Sequence, residues 1–146
     1  MIQIVSDNLR FIALYVVLLC GLAAEAAAQE GKIITIKTAA AEANAIVQLE
    51  PVELTISKNS VVIWLNAIKD QDVNISLSAE ERPDAAFSDA MGFSLEDGMY
   101  TAKYLPFIAT ASLRFVKEGV YTYRVELSNG KKKAHGTIKV CESSKE

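Results

Sequence analysis

The chain has 146 residues, a length that suits one domain, and a net charge of −3 at pH 7. Hydrophobic residues make up 51% of it, and much of that excess lies in the first 28 positions. The one basic run, residues 131–133, follows Asn129-Gly130 and is interpreted as a solvated turn. Nucleic-acid binding is therefore not expected, because phosphate contacts need clustered Lys and Arg.

The first 28 residues have the layout of a secretory signal peptide. Arg10 precedes an apolar run at residues 11–24, and the small residues Ala26-Ala27-Ala28 follow that run. We expect cleavage after Ala28. The mature chain, residues 29–146, is then one exported domain, in the periplasm or secreted.

Two membrane-bound alternatives stay open at this terminus. In the first alternative, the apolar run is not cleaved and anchors the chain, although it is shorter than the roughly 20 residues that a membrane span needs. Otherwise Cys20 is lipidated, although Leu19 before it is larger than the small residue expected there. If the signal is removed, Cys141 is the only thiol left, and no intrachain disulfide can form. Cys141 is interpreted as unpaired, with a bond to another molecule as the alternative.

Beyond residue 28 the sequence predicts an all-β domain. Apolar and polar residues alternate in short segments with turn residues between them, and alternation places Tyr104 on the same face as Tyr100 and Ala102. Residues 61–65 are instead a continuous β-branched and aromatic run, which favours a central strand buried on both faces. The predicted strands lie, in chain order, at residues 33–38, 46–49, 52–56, 61–65, 73–77, 100–104, 113–115, 120–127 and 134–140.

Residues 79–98 are predicted to be a long connection, with a helical turn around residues 84–90. Connections of this length in compact domains are functional or mobile. Apolar residues near its end form a candidate binding surface, and capping of the core is the alternative role. Two of them, the methionines, are interpreted on their own as gap-filling core residues. The candidate surface consists of Met91, Phe93, Leu95 and Met99.

Two blocks of the sequence resemble the cupredoxin family. Residues 52–66 read VELTISKNSVVIWLN, a strand, a turn and a strand that ends in aromatic-x-Asn. Residues 112–140 contain SLRF, EGVYTYRV and HGTIKV, similar to the last three strands of that family. The resemblance covers the chain from Val52 onward. It implies a Greek-key β-sandwich in which Trp64, Tyr121 and Tyr123 fill the core.

The same resemblance implies that the usual copper ligands are absent. In the family a His, then a Cys, a second His and usually a Met hold copper, because a soft thiolate with imidazoles sets the copper chemistry. None of those residue types stands at the matching positions here. The positions are Asp72 or Val73, Val125, Asn129 or Gly130, and Ala134. We therefore expect no cofactor, with copper at an atypical site as the alternative.

An atypical copper site would have to use the remaining soft donors and the one histidine. These are His135, Met91, Met99 and Cys141, which no spacing brings together. His135 is interpreted as a half-exposed strand residue. The sequence shows no nucleophile motif, no suggestive carboxylate pair and no phosphate-binding glycine loop, so we do not expect an enzyme.

Three functions stay open on this basis. The first is an exported, metal-free, cupredoxin-like binding or scaffold module for an unknown protein partner. The second is a periplasmic copper-binding or electron-transfer protein, and the third is an immunoglobulin-like adhesion or structural domain. A parallel pairing between the N-terminal region and the last strands would favour cupredoxin topology over the third.

Overall fold

The structure is a computed structural model that describes residues 31–39, 46–78 and 86–142. The expected signal peptide, residues 1–28, and Cys20 within it lie outside the described residues. Across the three described ranges, no helix has the length and apolar character needed to cross a membrane.

The described residues form eleven strands. They are β1 Gly31–Thr38, β2 Val47–Glu50, β3 Glu53–Ser57, β4 Val61–Asn66, β5 Val73–Ser78, β6 Phe87–Met91, β7 Ser94–Glu96, β8 Met99–Leu105, β9 Thr110–Phe115, β10 Gly119–Leu127 and β11 Lys133–Cys141. Each strand predicted from the alternation is present. The helical turn expected around residues 84–90 is wrong from Phe87 onward, because the Phe87 ring is buried in the core and β6 pairs with β9.

The strands form two sheets packed over one core, which confirms the predicted all-β sandwich. Sheet A has the order β2-β1-β4-β9-β6, and sheet B has the order β3-β11-β10-β5-β8-β7. Two pairs run parallel, β1 with β4 and β3 with β11. Strand β3, from the N-terminal half, thus lies beside the last strand. This pairing favours a cupredoxin-like β-sandwich over the immunoglobulin-like alternative.

Strand β4 lies in the middle of sheet A but buries one face only. Val62, Trp64 and Asn66 are buried, whereas the residues between them are half-buried. The expectation of two buried faces is wrong, because each sheet of a two-layer sandwich turns its outer face toward solvent.

The centre of the core is aromatic, as the resemblance implied. The fully buried Trp64 ring meets the Tyr123 ring edge-on, with centroids 5.5 Å apart. Gly136 on β11 makes room for that tyrosine, since a Cβ at this position would lie 2.2 Å from the Tyr123 ring. The glycine of the closing strand is therefore a packing residue.

Strand directions bring three connections to one end of the sandwich, called here the loop end. They are the β4–β5 loop (residues 67–72), the β8–β9 turn (residues 106–109) and the β10–β11 hairpin (residues 128–132). Leu65 pairs with Thr110, and Val73 pairs with both Leu105 and Leu127, so the strand ends that carry these connections are neighbours.

Candidate functional site

Asn66, the last residue of β4, organises the loop end. Its side chain is fully buried, and Nδ2 donates hydrogen bonds to the carbonyls of Gln71 at 2.8 Å and Leu105 at 2.9 Å. Its Oδ1 accepts a hydrogen bond from the Ile68 N–H at 2.9 Å. A buried amide with both donors and an acceptor engaged is a rigid junction. Asn66 thus joins the β4–β5 loop to the end of β8.

The β10–β11 hairpin is closed by its own hydrogen bonds and tied to the β4–β5 loop. The Gly130 N–H donates to the Leu127 carbonyl at 2.8 Å, and the Asn129 side chain accepts from the N–H two residues on at 3.0 Å. The Ser128 N–H donates to the Asp72 carbonyl at 2.9 Å. These bonds fix the hairpin against the neighbouring loop.

The positions that the resemblance gives to copper ligands contribute packing and turn geometry here. Val73 and Val125 are fully buried core residues of β5 and β10. Ala134 is half-buried opposite Val125, and Asn129 belongs to the tight turn. Within the described ranges, no group of three or more His, Cys, Asp or Glu residues is placed to hold a metal ion.

The four donors considered for an atypical copper site lie apart. His135 is near the start of β11 and Cys141, a half-buried free thiol, is its last residue, which puts them about 20 Å apart at the rise of a strand. Met91 ends β6 in sheet A. Met99 begins β8, which β10 and β5 separate from β11. The structure does not bring these side chains to one point.

The candidate surface from the long connection divides into buried and exposed parts. Phe93 is half-buried and packs edge-on against Trp64, with centroids 5.4 Å apart. Met91, Leu95 and Met99 are exposed. The interpretation of the two methionines as gap-filling core residues is wrong, because both side chains are exposed, Met91 at 71% and Met99 at 39%.

A second group of exposed apolar side chains lies at the loop end. Tyr104 is 67% exposed at the end of β8, and Phe107 and Ile108 in the following turn are 45% and 67% exposed. We call these three residues the apolar patch. Sequence reasoning did not predict them as a site, although an apolar run at residues 105–109, where a turn would ordinarily carry polar residues, is the signal that marks them.

A β-bulge turns Tyr104 outward. The register between β5 and β8 shifts opposite Asn74, and the Asn74 Oδ1 accepts a hydrogen bond from the Tyr104 N–H at 2.8 Å. Tyr104 has a φ of 54°, and Leu105 takes the buried position instead. The predicted alternation, with Tyr104 on the face of Tyr100 and Ala102, is wrong at this point because a bulge inserts one residue and changes the face of the next.

Ile108 is held in a strained conformation on this surface. Its φ is 68°, the left-handed region, at the third position of a turn in which the Ala109 N–H donates to the Pro106 carbonyl at 3.0 Å. Glycine suits that position, whereas a β-branched residue there costs about 1–2 kcal/mol. Two hydrogen bonds with the Asn66 backbone hold the turn. The Ile108 N–H donates to the Asn66 carbonyl at 2.7 Å, and the Asn66 N–H donates to the Ala109 carbonyl at 3.1 Å. Strained residues of this kind cluster at functional sites.

Comparisons with known proteins give similarity in structure only. No family model matches the chain, and no curated protein matches it. An oxidised amicyanin variant is 17% identical over 76% of this chain and 82% of that chain, with a TM-score of 0.48. A second oxidised amicyanin variant is 19% identical over 82% and 89% of the two chains, also with a TM-score of 0.48.

A purple cupredoxin from Nitrosopumilus maritimus is 17% identical over 75% of this chain and 99% of that chain, with a TM-score of 0.46. Because these TM-scores are below 0.5, the similarities carry no argument about what this chain binds or does.

Proposed function

We propose that this chain is an exported, metal-free binding module that recognises a protein partner through the apolar patch. The observation that carries the proposal is Ile108, a large apolar side chain that is both strained and exposed. Neither burial nor backbone preference favours isoleucine at this position, and contact with a partner would supply a physical reason for it. Export is supported by the layout of the first 28 residues.

The surroundings of the patch have the composition of a protein-binding surface. Large apolar and aromatic side chains at the centre of an interface supply most of its binding energy, and polar residues form the rim. Here Lys69 and Asp70 of the β4–β5 loop and Lys131 of the hairpin are exposed polar residues at the same end. The turn bonded to Asn66 presents the patch in one conformation, which lowers the entropy lost on binding.

The alternative of a copper or electron-transfer protein has less support. The positions where the resemblance implies ligands hold two valines, an alanine and turn residues. Packing and hydrogen bonds in the loop end account for those residues without a metal.

Site-specific photo-crosslinking in the organism of origin tests the proposal. A photoreactive residue placed at Phe107 should give one discrete adduct with another protein, whereas the same residue at Val120, an even more accessible apolar position on β10, should give none. Excess purified protein should suppress the adduct. Excess Ile108→Gly protein should suppress it at least about tenfold less well, since removal of an anchor side chain costs about 1.4 kcal/mol or more.

Ile108→Gly should also be the more stable protein, because glycine relieves the strain at this φ. We expect its free energy of unfolding in urea to rise by about 1 kcal/mol. Equal crosslinking at Phe107 and Val120, or equal competition by the Ile108→Gly and wild-type proteins, would show that the patch is not the binding surface.

A further inference from the structure

Strand β11 is longer than the strand that covers its outer edge. It has nine residues, but β3 pairs only with the part from Thr137 to Cys141. Residues 133–136 pair with β10 on one side, and no strand of the described chain pairs with them on the other. We call residues 133–136 the open edge.

Half of the hydrogen-bonding groups of the open edge, those of Lys133 and His135, point away from β10. The Thr137 N–H donates to the Val52 carbonyl at 3.0 Å, so the odd-numbered residues of β11 face the β3 side. The Lys132 carbonyl accepts from the last residue of β10, so the even-numbered residues face β10. Strand geometry therefore directs the N–H and C=O of Lys133 and His135 outward, where no described residue bonds to them.

A cleft of about 400 Å³ lies beside the open edge, between β2 and β11. Its lining is half apolar, from Val47, Leu49, Val52 and Ala134, and half polar, from Lys37, Gln48, Glu50 and His135. At about 3.3 Å per residue, an extended segment of four residues matches the length of the open edge. Side chains on one face of such a segment would enter the cleft.

The outer face of sheet B beside the open edge carries charges of both signs. Arg124 on β10, the cross-strand partner of His135, is 3.5 Å from Glu126, which offsets its charge. The exposed Glu53 at the start of β3 lies opposite Thr137, just beyond the open edge. Lys133 is exposed on the open edge itself, and an added strand would lie directly beside it. Acidic side chains on the outward face of that strand would therefore be attracted to Lys133.

We propose that the open edge binds a short extended segment of a partner protein by strand addition, and that this segment alternates acidic with apolar residues. Main-chain hydrogen bonds to Lys133 and His135 hold the segment, and the alternating side chains select it, apolar toward Val52 and Ala134 and acidic toward Lys133. This site is separate from the apolar patch and goes beyond the proposed function.

A labelled, capped hexapeptide of alternating glutamate and valine tests the proposal by fluorescence anisotropy with the purified protein. Alternate N–H groups of an added strand face β11, and the others face solvent. N-methylation of one alternate set should weaken binding at least about tenfold, since each lost hydrogen bond is worth roughly fivefold. N-methylation of the other set should change it less than about twofold. Failure of the unmodified peptide to bind, or equal loss with both methylated sets, would overturn strand addition.

Two variants and a control peptide locate the site. His135→Pro removes an N–H from the open edge and should weaken peptide binding at least about fivefold, whereas His135→Ala keeps that N–H and should bind within about twofold of wild type. A lysine–valine hexapeptide should bind at least about tenfold more weakly than the glutamate peptide. The proposal is wrong if the lysine peptide binds equally well. It is also wrong if sedimentation shows a dimer that His135→Pro converts to monomer, because a second copy would then occupy the edge.

Discussion

Tyr121 and Tyr123 lie on the same face of β10, and both rings pack in the core. Their hydroxyl groups are placed differently. The Tyr121 hydroxyl donates a hydrogen bond to the Lys117 carbonyl at 2.8 Å, whereas the Tyr123 hydroxyl and the Trp64 indole N–H are buried without a described partner. Burial raises the pKa of both tyrosines, that of Tyr123 to about 12. The Trp64 indole N–H opposes the shift at Tyr123, although these two groups do not meet hydrogen-bond geometry.

Phenylalanine substitution should change the free energy of unfolding differently at Tyr121 and Tyr123. Tyr123→Phe removes a buried hydroxyl that has no partner, so we expect the free energy of unfolding to stay unchanged or rise by up to about 1 kcal/mol. Tyr121→Phe removes a hydroxyl that is bonded and should lower it by about 1 kcal/mol. Urea denaturation of the two variants measures the difference, and an equal loss in both would contradict this account of the core.

Tyr123 should also make the protein sensitive to alkaline pH. Its pKa is about 12 in the folded state against 10.0 for an ordinary tyrosine, so the unfolded chain loses this proton first as the pH rises. The contribution to stability is complete below pH 10 and is lost between about pH 10 and 12, at up to about 1.4 kcal/mol per pH unit. Unfolding curves across this range should be less pH-dependent for Tyr123→Phe than for wild type. An identical dependence would refute the assignment.

At the scale of single strands, the pairing of β10 with β11 depends on Gly136. The Tyr123 ring occupies the space where a side chain at this position would lie, and Trp64 packs edge-on against that ring. Since neither ring is exposed, neither can move aside into solvent. The packing requirement here is therefore specific to glycine.

Gly136→Ala should be strongly destabilising. We expect the free energy of unfolding to fall by about 3 kcal/mol, because a Cβ is forced into a filled core. Gly98→Ala is the matched control. It introduces the same methyl at a φ of 78° with no atom within 4 Å, so it should cost only about 1 kcal/mol through backbone strain. A Gly136→Ala variant no less stable than Gly98→Ala would contradict the packing.

The strands also show what sequence can and cannot predict. Period-two alternation predicted β10 and its inward tyrosines, because one buried face leaves a direct mark on the residue pattern. It gave the wrong face for Tyr104, because the bulge depends on Asn74 of another strand. The long connection was predicted to contain a helical turn where β6 lies, because the pairing with β9 and the burial of Phe87 are tertiary effects that local sequence does not encode.

At the scale of the whole molecule, the sandwich fold and the implied metal site depend on different residues of the sequence. The sandwich depends on apolar residues that are spread along the chain, and their alternation predicted most of its strands. The resemblance located the positions of the family's copper ligands, and the structure shows what occupies them: Val73 and Val125 in the core and Asn129 in a closed turn. The apolar patch and the open edge of β11 depend on a bulge, a strained turn and the length of β3, none of which the sequence pattern displays.

The two proposed recognition surfaces lie on different parts of one domain. The apolar patch lies at the loop end, and the open edge lies along one side between β2 and β11. Each is held by well-packed strands. The buried valines and the hydrogen-bonded hairpin occupy the implied copper site. They also hold the loop end in one conformation.

The most direct test of this account is the copper content of the purified protein. After incubation with excess copper and removal of unbound ions, we expect far less than one equivalent of copper to remain, and no visible charge-transfer band, because the thiol and the imidazole of the described residues, Cys141 and His135, lie six residues apart along β11. One retained equivalent with an intense visible band, lost on substitution of His135 or Cys141, would contradict the claim that this fold functions without metal.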